Sequence, residues 1–222
     1  MKILVKTLFG LEEVVADELR QMGVEKIEML RRAVQFEGDL TMLYRANYEL
    51  RTAIRILVPQ YTFKAKNEHV FYKEIRKIDW SKHMKVTDTL AVDATTHSDF
   101  FTHSKYVALK TKDAIVDQFR DNMGRRPSVN VHAPTLRIQI HIHNDNVIGS
   151  FDSSGEPLFK RGYRIEKLDA PISEVLAAGI VLLSGWKADC NFIDPMWGSG
   201  TIPIEAAMIA YNVPAQTFRE KF

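Results

Sequence analysis

Toward its end the sequence reads "FIDPMWGSGTIPIEAAMIA", residues 192–210. An apolar pair, Asp194, a glycine pair at Gly198 and Gly200 and then an apolar helical run read as strand, loop and helix. That is the order in which α/β proteins build a turn that holds a ligand. No lysine follows the second glycine, so this is not a Walker loop, and Pro203 stands where a dinucleotide fingerprint needs its third glycine. Asp194 decides what the loop suits. A carboxylate at the end of the strand repels a pyrophosphate seated on the next helix N-terminus and attracts a cation instead. S-adenosylmethionine carries an ammonium and a sulfonium and no phosphate, so the loop chemistry prefers it to NAD or ATP. The alternative is a purely structural βα turn whose glycines serve only tightness.

A second group of residues is cationic. Between residues 102 and 137 stand seven Lys/Arg, namely Lys105, Lys110, Lys112, Arg120, Arg125, Arg126 and Arg137, against Asp113, Asp117 and Asp121. The excess is local, on a chain whose formal net charge is only +2. Clustered positive charge gives affinity for a phosphate backbone that weakens with salt. At helical spacing Lys105, Ala108, Leu109, Lys112, Ile115, Val116 and Phe119 share one side of a long helix. Lys112 therefore falls inside an apolar stripe, either snorkelling along the core edge or projecting to a phosphate. Arg125 and Arg126 follow the helix-ending Gly124 on a loop, where guanidinium groups reach phosphates or stay solvated. In "FKRGYR", Lys160, Arg161 and Arg164 flank Tyr163, a pattern that suits stacking with RNA or, preferably, pinning of a connector against its neighbours. His141 and His143 point the same way from one strand with Arg137 beside them. Two ligands next to a cation do not make a metal site, and no metal is expected.

The elements that position these groups fall into two styles. Residues 1–60 alternate strand and helix in the order strand–helix–strand–strand–helix–strand, a ferredoxin-like α+β layer, with Gly23 ending the first helix and Asp39 capping the second. The middle repeats the mixture. Asn67 caps a helix, "TLAVDA" is a strand, residues 103–124 form the longest helix, and "TLRIQIHIH" alternates with Ile138, Ile140 and Ile142 on one face. "DSSGEPLFKRGYR" is rich in turn formers and charge and reads as a connector. After it come a long helix, strand, glycine loop and helix, which is α/β logic. The apolar stretch at residues 175–186 is twelve residues, a buried helix rather than a membrane span. The single Cys190 excludes an internal disulfide, and with no signal peptide at the start a soluble cytoplasmic protein is expected.

Taken with "GLEEVVADEL", "KTKDAIVDQFR", "RRPSV", "DSSGEPLFKRGYR" and "APISEVLAAGIVLLSGW", the loop "DPMWGSGTIPIEAAMIA" resembles the first cofactor motif of the THUMP-containing ribosomal RNA guanine-N2 methyltransferases. Trp197 departs from the cysteine common there. The resemblance covers essentially the whole chain and implies α+β ferredoxin-like and THUMP modules followed by the start of an α/β Rossmann-like methyltransferase domain. It divides the sequence into a ferredoxin-like part over 1–40, a THUMP RNA-binding domain over 41–155, a linker over 156–170 and the incomplete start of an S-adenosylmethionine-dependent methyltransferase domain over 171–222. Asp194, Gly198, Ser199, Gly200 and Thr201 would line the methionine end of S-adenosylmethionine. Pro171 and Glu174 of "APISE" would approach the same pocket, although Glu174 equally suits an exposed helix start, where the macrodipole favours a carboxylate. Lys105, Lys110, Lys112, Arg120, Arg125, Arg126, Arg161 and Arg164 would meet structured, ribosomal RNA. The family holds the target amine with an Asn-Pro-Pro-Tyr-like motif. None occurs in these residues, so the sequence is expected to be the opening part of a longer enzyme. Two alternatives stay open: a stand-alone THUMP RNA-binding module, or a DNA or tRNA amino-methyltransferase.

Overall fold

The computed structural model describes residues 1–164 and 171–220. They form two units, Met1–Leu57 with Glu156–Phe222, and Val58–Gly155.

The first unit begins with β1 (Lys2–Lys6), α1 (Glu12–Gln21), β2 (Ile27–Leu30), β3 (Ala33–Glu37), α2 (Leu40–Glu49) and the start of β4 (Arg55–Lys64). The strands lie in the order β2-β3-β1-β4 and all three pairings are antiparallel. Alternation in "KILVK" buries Ile3 and Val5 fully, and α1, packed on β2 and β3, buries Val15, Ala16 and Leu19 fully as well. Asp39 caps α2 as expected: its carboxylate accepts the Met42 N–H at 2.8 Å, which satisfies a first-turn amide. The ferredoxin-like part therefore runs past residue 40. Leu57 of β4 pairs with Leu4 of β1, so α2 and the first turnless stretch of β4 complete this layer instead of opening the next.

Residues 156–164, read in the sequence as a connector pinned against its neighbours, are packed within the first unit. The Leu158 side chain is fully buried and its N–H donates to the Ile54 carbonyl at 2.8 Å. The remainder of the expected linker, residues 165–170, lies outside the described residues. Helices α5 (Glu174–Leu183) and α6 (Thr201–Ala210) follow. Val175 of α5 joins Leu11 and Val14 in one apolar cluster. The strand expected at residues 192–194 is absent among the described residues. A strand needs a hydrogen-bonding neighbour, and the antiparallel layer of this unit does not take it up. No described helix is long and apolar enough to cross a membrane.

The second unit holds the rest of β4, α3 (Glu68–Lys77), a short 3-10 turn at Trp80–Lys82, β5 (Thr89–His97), α4 (Ser104–Met123), β6 (Ser128–Val129), β7 (Leu136–His143) and β8 (Asn146–Asp152). Its strand order is β4-β8-β7-β5-β6, with β5 parallel to both β6 and β7 and β7 antiparallel to β8. Ile138, Ile140 and Ile142 are buried as their alternation requires, with Phe71, Trp80, Ile115 and Phe119 packed in the same core. Asn67 caps α3 through the Val70 N–H at 2.9 Å, and Gly124 ends α4 in the left-handed region at φ 64°. The buried face of α4 is rotated from the expected stripe. Val107, Thr111, Ala114, Ile115 and Phe119 point inward, while Leu109 is 50% exposed. Thr111 tolerates burial because its hydroxyl donates to the Val107 carbonyl at 2.9 Å, a bond available to a threonine inside a helix.

Candidate cofactor loop and cationic surface

The loop is shaped by its ends. Asp194 opens it as a turn, its Oδ1 accepting the Met196 N–H at 2.9 Å. Gly200 closes it in the left-handed region at φ 70° and serves as N-cap of α6 with no side-chain cap bond. Trp197 is 69% exposed and lies over Gly200, so that a Cβ there would stand 3.2 Å from its ring. Gly198 is exposed, and the Ser199 and Thr201 hydroxyls are 2.9 Å apart. Asp194, Gly198, Ser199, Gly200 and Thr201 thus share one short loop and the helix it starts. Among the described residues no cation pairs with Asp194. Pro171 is exposed just ahead of α5.

Glu174 and Arg164 take roles that the sequence did not assign. Glu174 is buried, 6% exposed, and ion-paired with Arg164, so it is neither an exposed helix-start carboxylate nor a free ligand. Arg164 donates from Nε to Glu174 Oε1, from Nη1 to Ser199 Oγ at 3.2 Å, and from Nη2 to the Ile172 carbonyl and Thr201 Oγ1, both at 2.9 Å. With every guanidinium nitrogen engaged, divided between the start of α5 and the loop, Arg164 is not placed as a surface phosphate contact.

Arg161 is likewise corrected. It is 1% exposed and paired with the fully buried Glu205 at 3.5 Å. It also donates to the Leu158 carbonyl at 2.7 Å and to the Arg51 carbonyl. Glu205 Oε1 accepts the Tyr163 hydroxyl at 3.0 Å as well. Burial pushes the Glu205 carboxyl above the usual range against the opposing charge of Arg161, and burial beside Glu205 pushes the Tyr163 phenol up. Arg51 donates to the Val213 carbonyl at 2.8 Å, and its N–H and that of Thr52 are held by Glu18 at 2.7 and 3.1 Å. A buried charge needs such partners. Glu205 and Glu18 were missed in the sequence, although one signal was there: Glu205 is the single charged residue of "TIPIEAAMIA".

The remaining cations divide cleanly. Lys112 pairs with Asp113, and Arg120 with Asp117 at 2.7 Å. Lys112 keeps 29% of its side chain exposed and borders a shallow hollow of about 440 Å³ with Val116, Arg126, Pro127, Ser128 and Val129. Lys105, Arg125 and Arg126 are exposed and have no carboxylate partner among the described residues. Lys110 sits 5.2 Å over the Tyr72 ring and 6.0 Å from that of Tyr106. His141 and His143 are exposed, and His141 bonds Thr95 at 2.9 Å. No group of three or more His, Cys, Asp or Glu converges among the described residues.

Three family models match in chain order: an RlmL ferredoxin-like domain over residues 2–57, a THUMP domain over 65–151 and an RMKL-like methyltransferase domain over 161–222. The chain is 40% identical over 204 residues to the ribosomal RNA large subunit methyltransferase K/L of Syntrophotalea carbinolica, spanning 90% of this chain and 29% of that one. It is 38% identical to the putative RNA methyltransferase slr0064 of Synechocystis, spanning 96% of this chain and 56% of that one. Among solved structures, a putative methyltransferase complexed with SAH, SMU.472, superposes with a TM-score of 0.85 at 32% identity, covering 100% of this chain and 58% of that chain. The chain therefore spans from 29% to 58% of the length of these relatives.

Proposed function

This chain belongs to the THUMP-containing methyltransferases, and from that premise we propose that it supplies the RNA-holding and cofactor-motif part of an S-adenosylmethionine-dependent enzyme that methylates guanine N2 in large-subunit ribosomal RNA. The enzyme works in the cytoplasm. The observation that carries the reading is the loop at residues 194–201: a carboxylate without a cationic partner among the described residues at one end, a left-handed glycine and an uncapped helix start at the other. Asp194 would hold the ammonium of the cofactor, and Gly198, Ser199, Gly200 and Thr201 would let its amino-acid end approach the backbone. The cofactor, when bound, supplies a methyl group on a sulfonium. The chain contributes the positioning of that group and of the RNA, which is the larger part of catalysis in a direct displacement.

Lys105, Lys110, Arg125 and Arg126 would meet phosphates of the RNA, whereas Lys112 and Arg120 spend their charge on neighbouring aspartates. Binding of a ribosomal RNA fragment measured across a salt series tests this. Each of Lys105→Ala, Lys110→Ala, Arg125→Ala and Arg126→Ala should flatten the slope of log affinity against log salt by roughly 0.7–0.9. Lys112→Ala and Arg120→Ala should leave it near wild type. Equal affinity for duplex DNA at about 150 mM salt would sink the RNA reading in favour of a DNA amino-methyltransferase.

A further inference from the structure

We propose that Arg164 is a positioning residue for the cofactor loop, its guanidinium fork fixing residues 199–201 in the form that the cofactor meets. The inference rests on the methyltransferase reading above and deepens it.

One guanidinium here joins three stretches of chain. It reaches the Glu174 carboxylate at the start of α5, the Ile172 carbonyl just before it, and the Ser199 and Thr201 hydroxyls at the start of α6. Neither helix has a side-chain cap bond at its N-cap, Ser173 or Gly200. The ordinary way to stabilise such ends is a serine, threonine or aspartate oxygen on the first amides. A cation at the positive end of a helix works against the macrodipole, so helix stability does not explain Arg164. What the arginine does instead is leave the first-turn amides of α6 unclaimed by side chains while holding the residues that carry them.

The proton inventory of the two hydroxyls sharpens this. Ser199 Oγ and Thr201 Oγ1 both accept from Arg164, and they lie 2.9 Å from each other. Of their two protons, one lies between them. The other is left to donate, which suits an anionic acceptor such as the carboxylate at the amino-acid end of the cofactor. Glu174 is matched by Arg164, so Asp194 remains the loop carboxylate with no cationic partner among the described residues, free to meet an ammonium. Arg164 thereby sorts the two charges of one zwitterionic group. A lysine cannot substitute, because four acceptors in a fixed fork need the planar guanidinium.

The test compares wild type, Arg164→Gln and Arg164→Lys in the protein at its natural length, with SAH binding followed by calorimetry, RNA binding by anisotropy and folding by circular dichroism. Both variants are expected to weaken SAH by at least about tenfold, because neither side chain reproduces the fork. RNA affinity should stay within about twofold, since phosphate contacts elsewhere carry it. Hydrogen exchange at residues 194–201 should rise in the same variants. Wild-type SAH affinity in Arg164→Gln, or its rescue by Arg164→Lys, overturns the proposal, as does a drop in melting temperature with SAH affinity intact well below it. If Arg164→Gln does not fold, Arg164→Lys, which keeps charge and stem, carries the comparison alone. A wild-type protein that fails to bind SAH would instead bring down the methyltransferase reading itself.

Discussion

Gly162 sits at φ +91°, and a Cβ there would stand 2.2 Å from the Phe218 carbonyl oxygen. That turn puts Arg161, Tyr163 and Arg164 along α6, where Thr201 and Glu205, one helical turn apart, receive them. Gly162→Ala combines a disfavoured backbone with a collision against main chain and should cost roughly 2–4 kcal/mol, read as a lower urea midpoint at unchanged slope. An alanine variant as stable as wild type would show that the turn relaxes freely. The basic tract "FKRGYR" was legible as a pinning element, but its partners were not. Sequence spacing says that an arginine is present, while only the tertiary arrangement shows that a carboxylate 44 residues away is buried beside it.

At the scale of elements, the aromatic cluster of the second unit ties β4, the 3-10 turn and β8 together. His83 packs edge-on against Phe151 with ring centroids 4.9 Å apart and hydrogen-bonds the Tyr61 hydroxyl. Burial lowers its pKa below the usual 6.5, with Asp79 opposing. The unfolded chain then binds more protons than the folded one between the two values, so the contribution of His83 is complete above 6.5 and lost as pH falls through the folded value. His83→Gln should flatten the fall in stability of residues 58–155 between about pH 7 and pH 5; an unchanged curve in urea titrations would refute the assignment. The caps Asp39, Asn67 and Gly124 were readable because capping is local chemistry. The inward face of α4 was not, because two overlapping apolar spacings compete and the sheet chooses between them. The strand at 192–194 failed for the related reason that a strand is a property of its neighbours.

At the scale of the molecule, the first unit is discontinuous in sequence, with residues 58–155 intervening. Leu158 shows how closely the two stretches share one interior: it is fully buried, its N–H meets Ile54, and its carbonyl accepts from Gln216 at 2.8 Å and from Arg161. Leu158→Ala should cost about 2–5 kcal/mol and lower amide protection in β1 and β3 as well as α6. Protection in β5 and β7 should hold. Loss confined to residues 156–220 would mean that the stretches fold separately. The ribosome gives this arrangement a clock. Residues 1–57 are synthesised before the 98 that intervene, which take on the order of 5–20 s at the usual elongation rates. Throughout that interval Leu11 and Val14 wait without Val175, their partner in one apolar cluster. The newborn ferredoxin-like layer is therefore a stage at which apolar surface stays open to chaperones acting on nascent chains.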